Sequence, residues 1–555
     1  MEVQNLEETR VSNIYIITKT EQYKKLTQPK KEFKKLNKTN PTIIQKMKIK
    51  LFSITLLLTV VSLLSCKKET KSESVSENSK EVSKKPNIVY ILTDQWRGSA
   101  LGYAGNVDVK TPNLDAFAKE AVNFTNTVSV TPVCTPHRAA LFTGRFPTTT
   151  GMIVNDVYLP SEELCMAEIY KEAGYNTAYW GKWHLDGHGR STYIPKERRQ
   201  GFDFWRALEC SHNYTKMPYY DNDNQELKHW DKYSPFAIVE DANQYLAQHA
   251  KDEAPFLAVV SIATPHYPHS SAPKKYKDMY PPESLKLNPN VSKKYEERSR
   301  KELQGYYAHA TATDEAIGSL LQQIEALNLS ENTIIVFSAD HGEMMGAHNI
   351  KPFVKQLAWD ESIRVPFLIK YPGINTQKGA VVNAPLTTPD ILPSLLSLSN
   401  IKIPETIEGE NLAGLMKKPD PNADRAALVM NVAPFGANFN DPPYRAIKTK
   451  QYTYARTPEG PSMFFDNVKD PYQMNNLLGK PELEAIQKDL DEKLNARLAE
   501  IGDEFKSRDY YLKKYNYVFD KKKHAIPFWG FNEGKGKYKN IGDIKPVVQS
   551  PRPVN

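Results

Sequence analysis

The stretch Asn87–Gln95, NIVYILTDQ, decides the architecture. From Ile88 to Thr93 every residue is apolar, aromatic or β-branched, and the polar–apolar alternation of a half-wet strand is missing. Such a run is a strand covered on both faces, as in a parallel sheet with helices on either side. It stops abruptly at Asp94-Gln95, which leaves two polar side chains at its C-terminal end.

The neighbouring sequence repeats the pattern. Thr111 followed by Pro112 opens a helix in TPNLDAFAKEAVNF, with proline at the first helical position. SEELCMAEIYKEAGYNTAYWGKWHL reads as a helix, a stop at Gly174 and a strand. APFLAVVSIATPH is a further strand running into Pro265-His266, and TATDEAIGSLLQQIEALNLSENTIIVFSADHG is a helix and then a strand ending in Asp340-His341-Gly342. Helices alternating with buried strands predict an α/β fold with a mostly parallel central sheet flanked by helices. After about Asn422 the pattern changes. RAIKTKQYTYARTPEGPSMFFDN has short strands and turns, and KPELEAIQKDLDEKLNARLAEI is an amphipathic helix. Together they predict a smaller C-terminal subdomain of antiparallel sheet plus helix. The expected organisation is a catalytic domain over 86–425, this subdomain over 426–505 and an irregular tail over 506–555.

The N-terminal region reads as a leader. Residues 1–46 are polar and Lys-rich, and are expected to be an over-long reading frame or a disordered extension with the true start at Met47. Residues 47–66 form a signal peptide: the basic MKIK, the uncharged run LFSITLLLTVVSLL, then LLSC. That run is shorter than the roughly 20 residues a membrane span needs. The LLSC order resembles a bacterial lipobox, which makes Cys66 the lipid anchor to a membrane. Residues 67–85, rich in Ser, Glu and Lys, cannot bury enough apolar surface to fold and form a flexible tether. The expected location is therefore exported and membrane-anchored, in the periplasm or at the outer-membrane surface.

The formal net charge of +8 is misleading about partners. Residues 1–85 hold 18 Lys+Arg against 9 Asp+Glu, which leaves 55 against 56 for the rest. The folded body is neutral, so nucleic acid is not an expected partner. Of the four cysteines, Cys66 is assigned to lipid. Cys165 and Cys210 are left to form a disulfide or to stay as two buried thiols, and the second reading is favoured.

The chemistry-bearing residues lie at strand ends, on the edge of an α/β sheet where ligands bind. Asp94, Gln95, Asp340 and His341 supply two carboxylates and further donors suited to a hard divalent cation, with His341 the least typical. Arg138, Lys182, His184, His266 and Lys355 bring cationic groups to the same edge, which suits an oxyanion ester. Taken singly, each lysine is most often a solvated surface group and each histidine an ordinary core or surface residue. Their joint placement carries the argument. Cys134 stands among them in VCTPHRAALFTGR, followed by Pro136 and Arg138, company that a core cysteine does not need.

Cys134-Thr135-Pro136-His137-Arg138 with Thr143-Gly144-Arg145 resembles the signature of the type I sulfatases. PNIVYILTDQ, TPNLDAFAKEAVNFTN, GYNTAYWGKWHL, TPHYPH, ADHGEMMGAH, KQLAWDESIRVPFLI and DPYQMNNL are similar to further segments of that family, in order from about Pro86 to Ile501. The resemblance implies an alkaline-phosphatase-like fold and a sulfuric ester hydrolase. It also implies that a formylglycine-generating enzyme converts Cys134 to formylglycine (3-oxoalanine), whose hydrate is the nucleophile. Asp94, Gln95, Cys134, Asp340 and His341 would hold Ca²⁺. Lys182, His266 and Lys355 would clamp sulfate, with His266 favoured over Lys355 as proton donor to the leaving alcohol. His184 would orient or deprotonate the hydrate, and Arg138 would lie beside it. The family more often has Asp at position 95, Asn at 341 and a small residue at 137. One carboxylate fewer weakens the expected pull on the cation.

An exported, anchored sulfatase is expected to act on a sulfated poly- or oligosaccharide. Algal polymers such as ulvan or carrageenan and glycosaminoglycans all fit. Aromatic and polar residues in Glu209–Asn224, including His212, and in Phe528–Phe531 can stack on sugar rings or simply pack in the core. His188 and Arg190 can meet a uronate carboxylate or belong to a solvated loop. Two competing readings remain at this level. One is a phosphonate or phosphate diester hydrolase on the same scaffold. The other is a catalytically dead, glycan-binding surface lipoprotein, which the intact set of six candidate catalytic residues disfavours.

Overall fold

The computed structural model describes residues 84–371, 377–532, 537–541 and 545–552. Cys66, the signal peptide and all but the last two residues of the tether lie outside them. Five neighbouring parallel strands form the heart of a ten-stranded sheet. They include β1 (Asn87–Asp94), β2 (Asn176–Lys182), β3 (Phe256–Pro265) and β4 (Thr333–Ala339). The order across the centre is β4-β1-β3-β2, and Phe204–Leu208 pairs parallel outside β2. β5 (Phe367–Lys370) runs antiparallel beside β4.

Every residue of β1 is buried, and its side chains divide between two cores. Ile88, Tyr90 and Leu92 enter one, with Phe142, Tyr179, Trp183 and Val336. Val89 and Ile91 enter the other, with Trp180, Tyr306, Ile317 and Phe337. This two-sided burial is why NIVYILT lacks alternation. Four helices cover the faces: α1 (Pro112–Ala118), α2 (Cys134–Thr143), α3 (Ser234–His249) and α4 (Glu296–Ala326).

The C-terminal part forms the expected second sheet. Its four strands, β6 (Ala427–Asn431), β7 (Tyr444–Lys448), β8 (Tyr452–Thr457) and β9 (Gly460–Asp466), are antiparallel in sequence order. α5 (Glu484–Glu500) buries Leu490, Leu494 and Leu498, one stripe at four-residue spacing. Leu428, Met430, Ile447, Tyr454 and these leucines join the same apolar cluster as β1. The sheet is therefore packed into the main core. The stretch expected to be irregular contains regular structure: α6 (Arg508–Lys514), and a hairpin of β10 (Phe528–Asn532) and β11 (Lys537–Ile541). Phe528–Asn532, FWGFN, lacks the polar–apolar alternation of a half-wet strand, so the pairing does not show in the sequence. Cys165 and Cys210 are free, buried thiols, as favoured above.

One buried ion pair fastens the end of this region. Arg445 and Asp503 have fully buried side chains and are paired, with Arg445 Nη2 3.1 Å from Asp503 Oδ1. The Phe505 ring covers the guanidinium at 4.8 Å. Removing one partner strands a buried charge, which costs about 3–5 kcal/mol. Asp503→Ala is therefore expected to lower the denaturant midpoint strongly, and an unchanged midpoint would contradict this role for the pair.

Candidate active site

The parallel strands deliver their polar ends to one edge. Asp94 closes β1, Lys182 closes β2, His266 follows β3 and Asp340 follows β4. Gly181 makes the approach of β2 to β3 possible. Its φ is +90°, and a Cβ there would lie 1.9 Å from the Ser261 carbonyl oxygen. Gln95 and His184 also hold left-handed backbone, at φ 60° and 63°. Strain of this kind in residues other than glycine is typical of functional sites. Cys134 is the first residue of α2, and Arg138 follows one turn later on the same face.

Arg138 is fully buried between the two carboxylates. It contacts Asp94 Oδ2 at 3.3 Å and Asp340 Oδ2 at 3.2 Å. Its Nη1 donates to the Lys182 carbonyl at 2.8 Å and to Ser261 Oγ at 2.9 Å. Lys182 Nζ lies 2.5 Å from Asp94 Oδ2. Burial opposes ionisation of Asp94, but the charges of Lys182 and Arg138 overcome it and hold the carboxyl well below its usual range. Asp340 is pushed up, by burial and by the charge of Asp94. The pair is thus short of positive charge even with Arg138 in place.

Asp94, Cys134, Asp340 and His341 place one donor atom each within 4.8 Å of one another, all buried. His341 Nδ1 lies 3.0 Å from the Gly342 carbonyl, so that Nδ1–H donates there and Nε2 faces the cluster. That nitrogen is 3.2 Å from Cys134 Sγ and 3.5 Å from Asp340 Oδ1. Gln95 is held by Glu343, which accepts from its Nε2. Its Oε1 accepts from Lys355 Nζ at 3.2 Å. Two carboxylates, an amide oxygen and an imidazole nitrogen turned inward fit a divalent cation.

The remaining basic side chains line a cleft of about 210 Å³ that includes Cys134, Lys182, His184, His266 and Lys355. Lys355 Nζ is 3.6 Å from Cys134 Sγ and 3.2 Å from His266 Nε2. His266 Nδ1 donates to the Tyr267 carbonyl at 2.8 Å. Burial and the Lys355 ammonium keep this imidazole neutral. His184 behaves oppositely. Burial disfavours its charge, but Cys210 and Asp156 outweigh it and its pKa is pushed up to about 9. Burial and Asp94 likewise oppose ionisation of the Cys134 thiol, yet Lys182, Lys355 and His341 pull it well below the ordinary thiol range. The cleft is therefore built for an anion.

All ten candidate catalytic and metal residues converge here. The three candidate substrate residues divide. His212 lines the cleft and stacks on His266 at 4.8 Å. Arg190 also lines it, but its guanidinium is held by Asp156. His188 is turned away, with Nδ1 2.6 Å from the Asp186 carbonyl and its ring against Tyr158. Sequence reading missed Asp156, Glu343 and the Phe435–Asn438 segment of the cleft wall. No local pattern marks them, because each is significant only through a partner far along the chain.

Comparison with known proteins agrees with this geometry. The family model described as Sulfatase matches residues 86–401. One described as N-sulphoglucosamine sulphohydrolase, C-terminal, matches 346–500. The chain is 72% identical over 508 residues to an ulvan-active sulfatase of Formosa agariphila, covering 92% of this chain and 97% of that one. It is 30% identical to an endo-4-O-sulfatase of Bacteroides thetaiotaomicron, covering 76% and 94%. A crystal structure assigned to a yidJ sulfatase of Bacteroides fragilis superposes with TM-score 0.69 at 29% identity, covering 80% and 98%.

The pairing of Asp156 with His184 makes stability depend on pH. Burial opposes ionisation of Asp156, but Arg190 and His184 hold its pKa below the ordinary carboxylate value. Its contribution is present above about pH 3.9 and lost as pH falls further. The raised His184 contributes fully below about pH 6.5 and loses this as pH rises toward its folded value of about 9. The difference in unfolding midpoint between wild type and Asp156→Asn is therefore expected to be largest between about pH 4 and 6.5 and to narrow on both sides. A difference that stays constant from acid to alkaline pH would contradict it.

Proposed function

Because the chain belongs to the sulfatase family and is a sulfuric ester hydrolase, we propose that it removes sulfate from a sulfated polysaccharide of the ulvan type, using a formylglycine at position 134 and Ca²⁺. The observation that carries the substrate is the 72% identity, over nearly the whole of both chains, to an ulvan-active sulfatase. The hydrate of formylglycine supplies a hydroxyl nucleophile and a second hydroxyl that lets the ester be released without another attack at sulfur. Asp94, Gln95, Asp340, His341 and the residue at 134 would hold Ca²⁺, whose charge would polarise the ester.

The chain's own residues do the rest. Lys182 and Lys355 flank Cys134 and meet the sulfate oxygens. His266, held neutral, accepts from Lys355 Nζ. The proton for the leaving alcohol therefore starts on Lys355 and passes through this pair, which modifies the expectation that favoured His266 over Lys355 as its donor. His184, charged below about pH 9, acts as a donor beside position 134. His212, stacked on His266 at the cleft, faces the sugar. Export on a lipid anchor at Cys66, which rests on the leader sequence, would bring the enzyme to a polymer that cannot enter the cell.

Mass spectrometry across Cys134, on protein made together with a formylglycine-generating enzyme, is expected to show a loss of about 18 Da, the change from thiol to aldehyde. Wild type should release sulfate from ulvan oligosaccharides and Cys134→Ala should not. Sulfate release from glycosaminoglycan oligosaccharides in preference to ulvan would overturn the substrate assignment. An unmodified thiol together with full turnover would overturn the mechanism.

A further inference from the structure

The two family models match nothing beyond residue 500, yet the tail returns to the active site. β10 lies along the loop that follows His184. Arg190 N donates to the Trp529 carbonyl at 2.8 Å. Gly189, at φ +108°, leaves room for the Trp529 indole, and a Cβ there would sit 2.6 Å from Nε1. The Phe528 ring stands 3.6 Å from the Arg190 guanidinium carbon.

Arg190 passes this contact inward. Its Nε and Nη2 each donate at 2.8 Å, one to either oxygen of Asp156. Asp156 Oδ1 in turn lies 3.2 Å from His184 Nε2. His184 Nδ1 is buried without a hydrogen-bond partner, and the ring lines the same cleft as Cys134. A bidentate fork fixes the plane of a carboxylate as well as its charge. A carboxylate so fixed holds the Nε2–H of an imidazole and decides which nitrogen faces the reaction. An aromatic face over a partly buried guanidinium limits the rotamers open to the arginine.

We propose that Asp156 is a positioning residue for His184. Arg190 clamps Asp156, and the C-terminal hairpin locks Arg190 through Phe528 and Trp529, so that Nδ1 of His184 is presented to position 134. This rests on the role for His184 given above. It assigns Arg190 to the enzyme's own scaffold, where sequence reading had offered it a substrate carboxylate. The tail is then part of the catalytic apparatus although it supplies no group that touches the substrate.

The test uses the full chain and two variants, Asp156→Asn and Phe528→Ala, with formylglycine content and melting temperature as controls. On ulvan oligosaccharides kcat is expected to fall about 10–100-fold in Asp156→Asn and several-fold in Phe528→Ala, with KM changed little, by analogy with the loss on removing the carboxylate that orients a metal-bound histidine. Proton NMR of the imidazole region, with the His184 signal assigned by its loss in His184→Gln, supplies a readout apart from activity. A protected Nε2–H proton is expected in wild type, lost in Asp156→Asn and broadened in Phe528→Ala. A rise in KM at constant kcat would overturn the proposal and place Arg190 against the substrate. A His184 proton unchanged in both variants would overturn it as well. Should wild type itself fail to turn over ulvan, the substrate reading fails, while the NMR comparison still decides this one.

Discussion

The active site depends on a fully buried arginine between two fully buried carboxylates. Arg138 contacts both Asp94 and Asp340 where β1 and β4 end side by side. Two carboxylates placed together in a protein interior repel, and desolvation penalises each. Arg138 and Lys182 satisfy Asp94, yet Asp340 remains pushed toward its neutral form. A divalent cation held by Asp94, Gln95, Asp340 and His341 would supply the charge that balances the cluster. Such a cation would stand beside position 134, which lies at the start of a helix and faces a cleft lined by lysines and histidines.

Distant parts of the chain are needed to hold this arrangement. Lys355 owes its place to Gln356, which has left-handed backbone and bonds Phe435 through both ends of its amide. Asn431 at the end of β6 donates to the Gln356 carbonyl. The C-terminal sheet thus fixes one cation of the cleft, and the final hairpin contacts the loop that carries Arg190. Neither region contributes a reacting group, but the cleft is incomplete without them.

The amino-acid pattern made the central sheet legible because burial on both faces leaves an unbroken apolar run, and β1, β3 and β4 all show one. The ends of those runs then located Asp94, His266 and Asp340, and the Cys134–Arg138 motif pointed to the chemistry although its helix was not anticipated. What stayed hidden was long-range pairing. Asp156 lies 28 residues from His184 in a loop without a signature, and the hairpin at Phe528 contacts Arg190 more than 300 residues away. His188 looked equivalent to Arg190 from its position, but its ring is occupied by Asp186 and Tyr158. Side-chain direction in a loop is set by tertiary contacts that neither periodicity nor propensity encodes.

The central claim is that the buried acidic cluster is completed by a divalent cation. Its most direct test is the melting temperature of the full chain as Ca²⁺ is titrated after chelation. Binding to the folded state alone stabilises by RT ln(1 + [L]/Kd), about 2.7 kcal/mol at a hundredfold excess over Kd. The melting temperature should therefore climb with Ca²⁺ in wild type and stay flat in Asp94→Asn and Asp340→Asn. A wild-type protein indifferent to Ca²⁺ and to chelator would contradict the account.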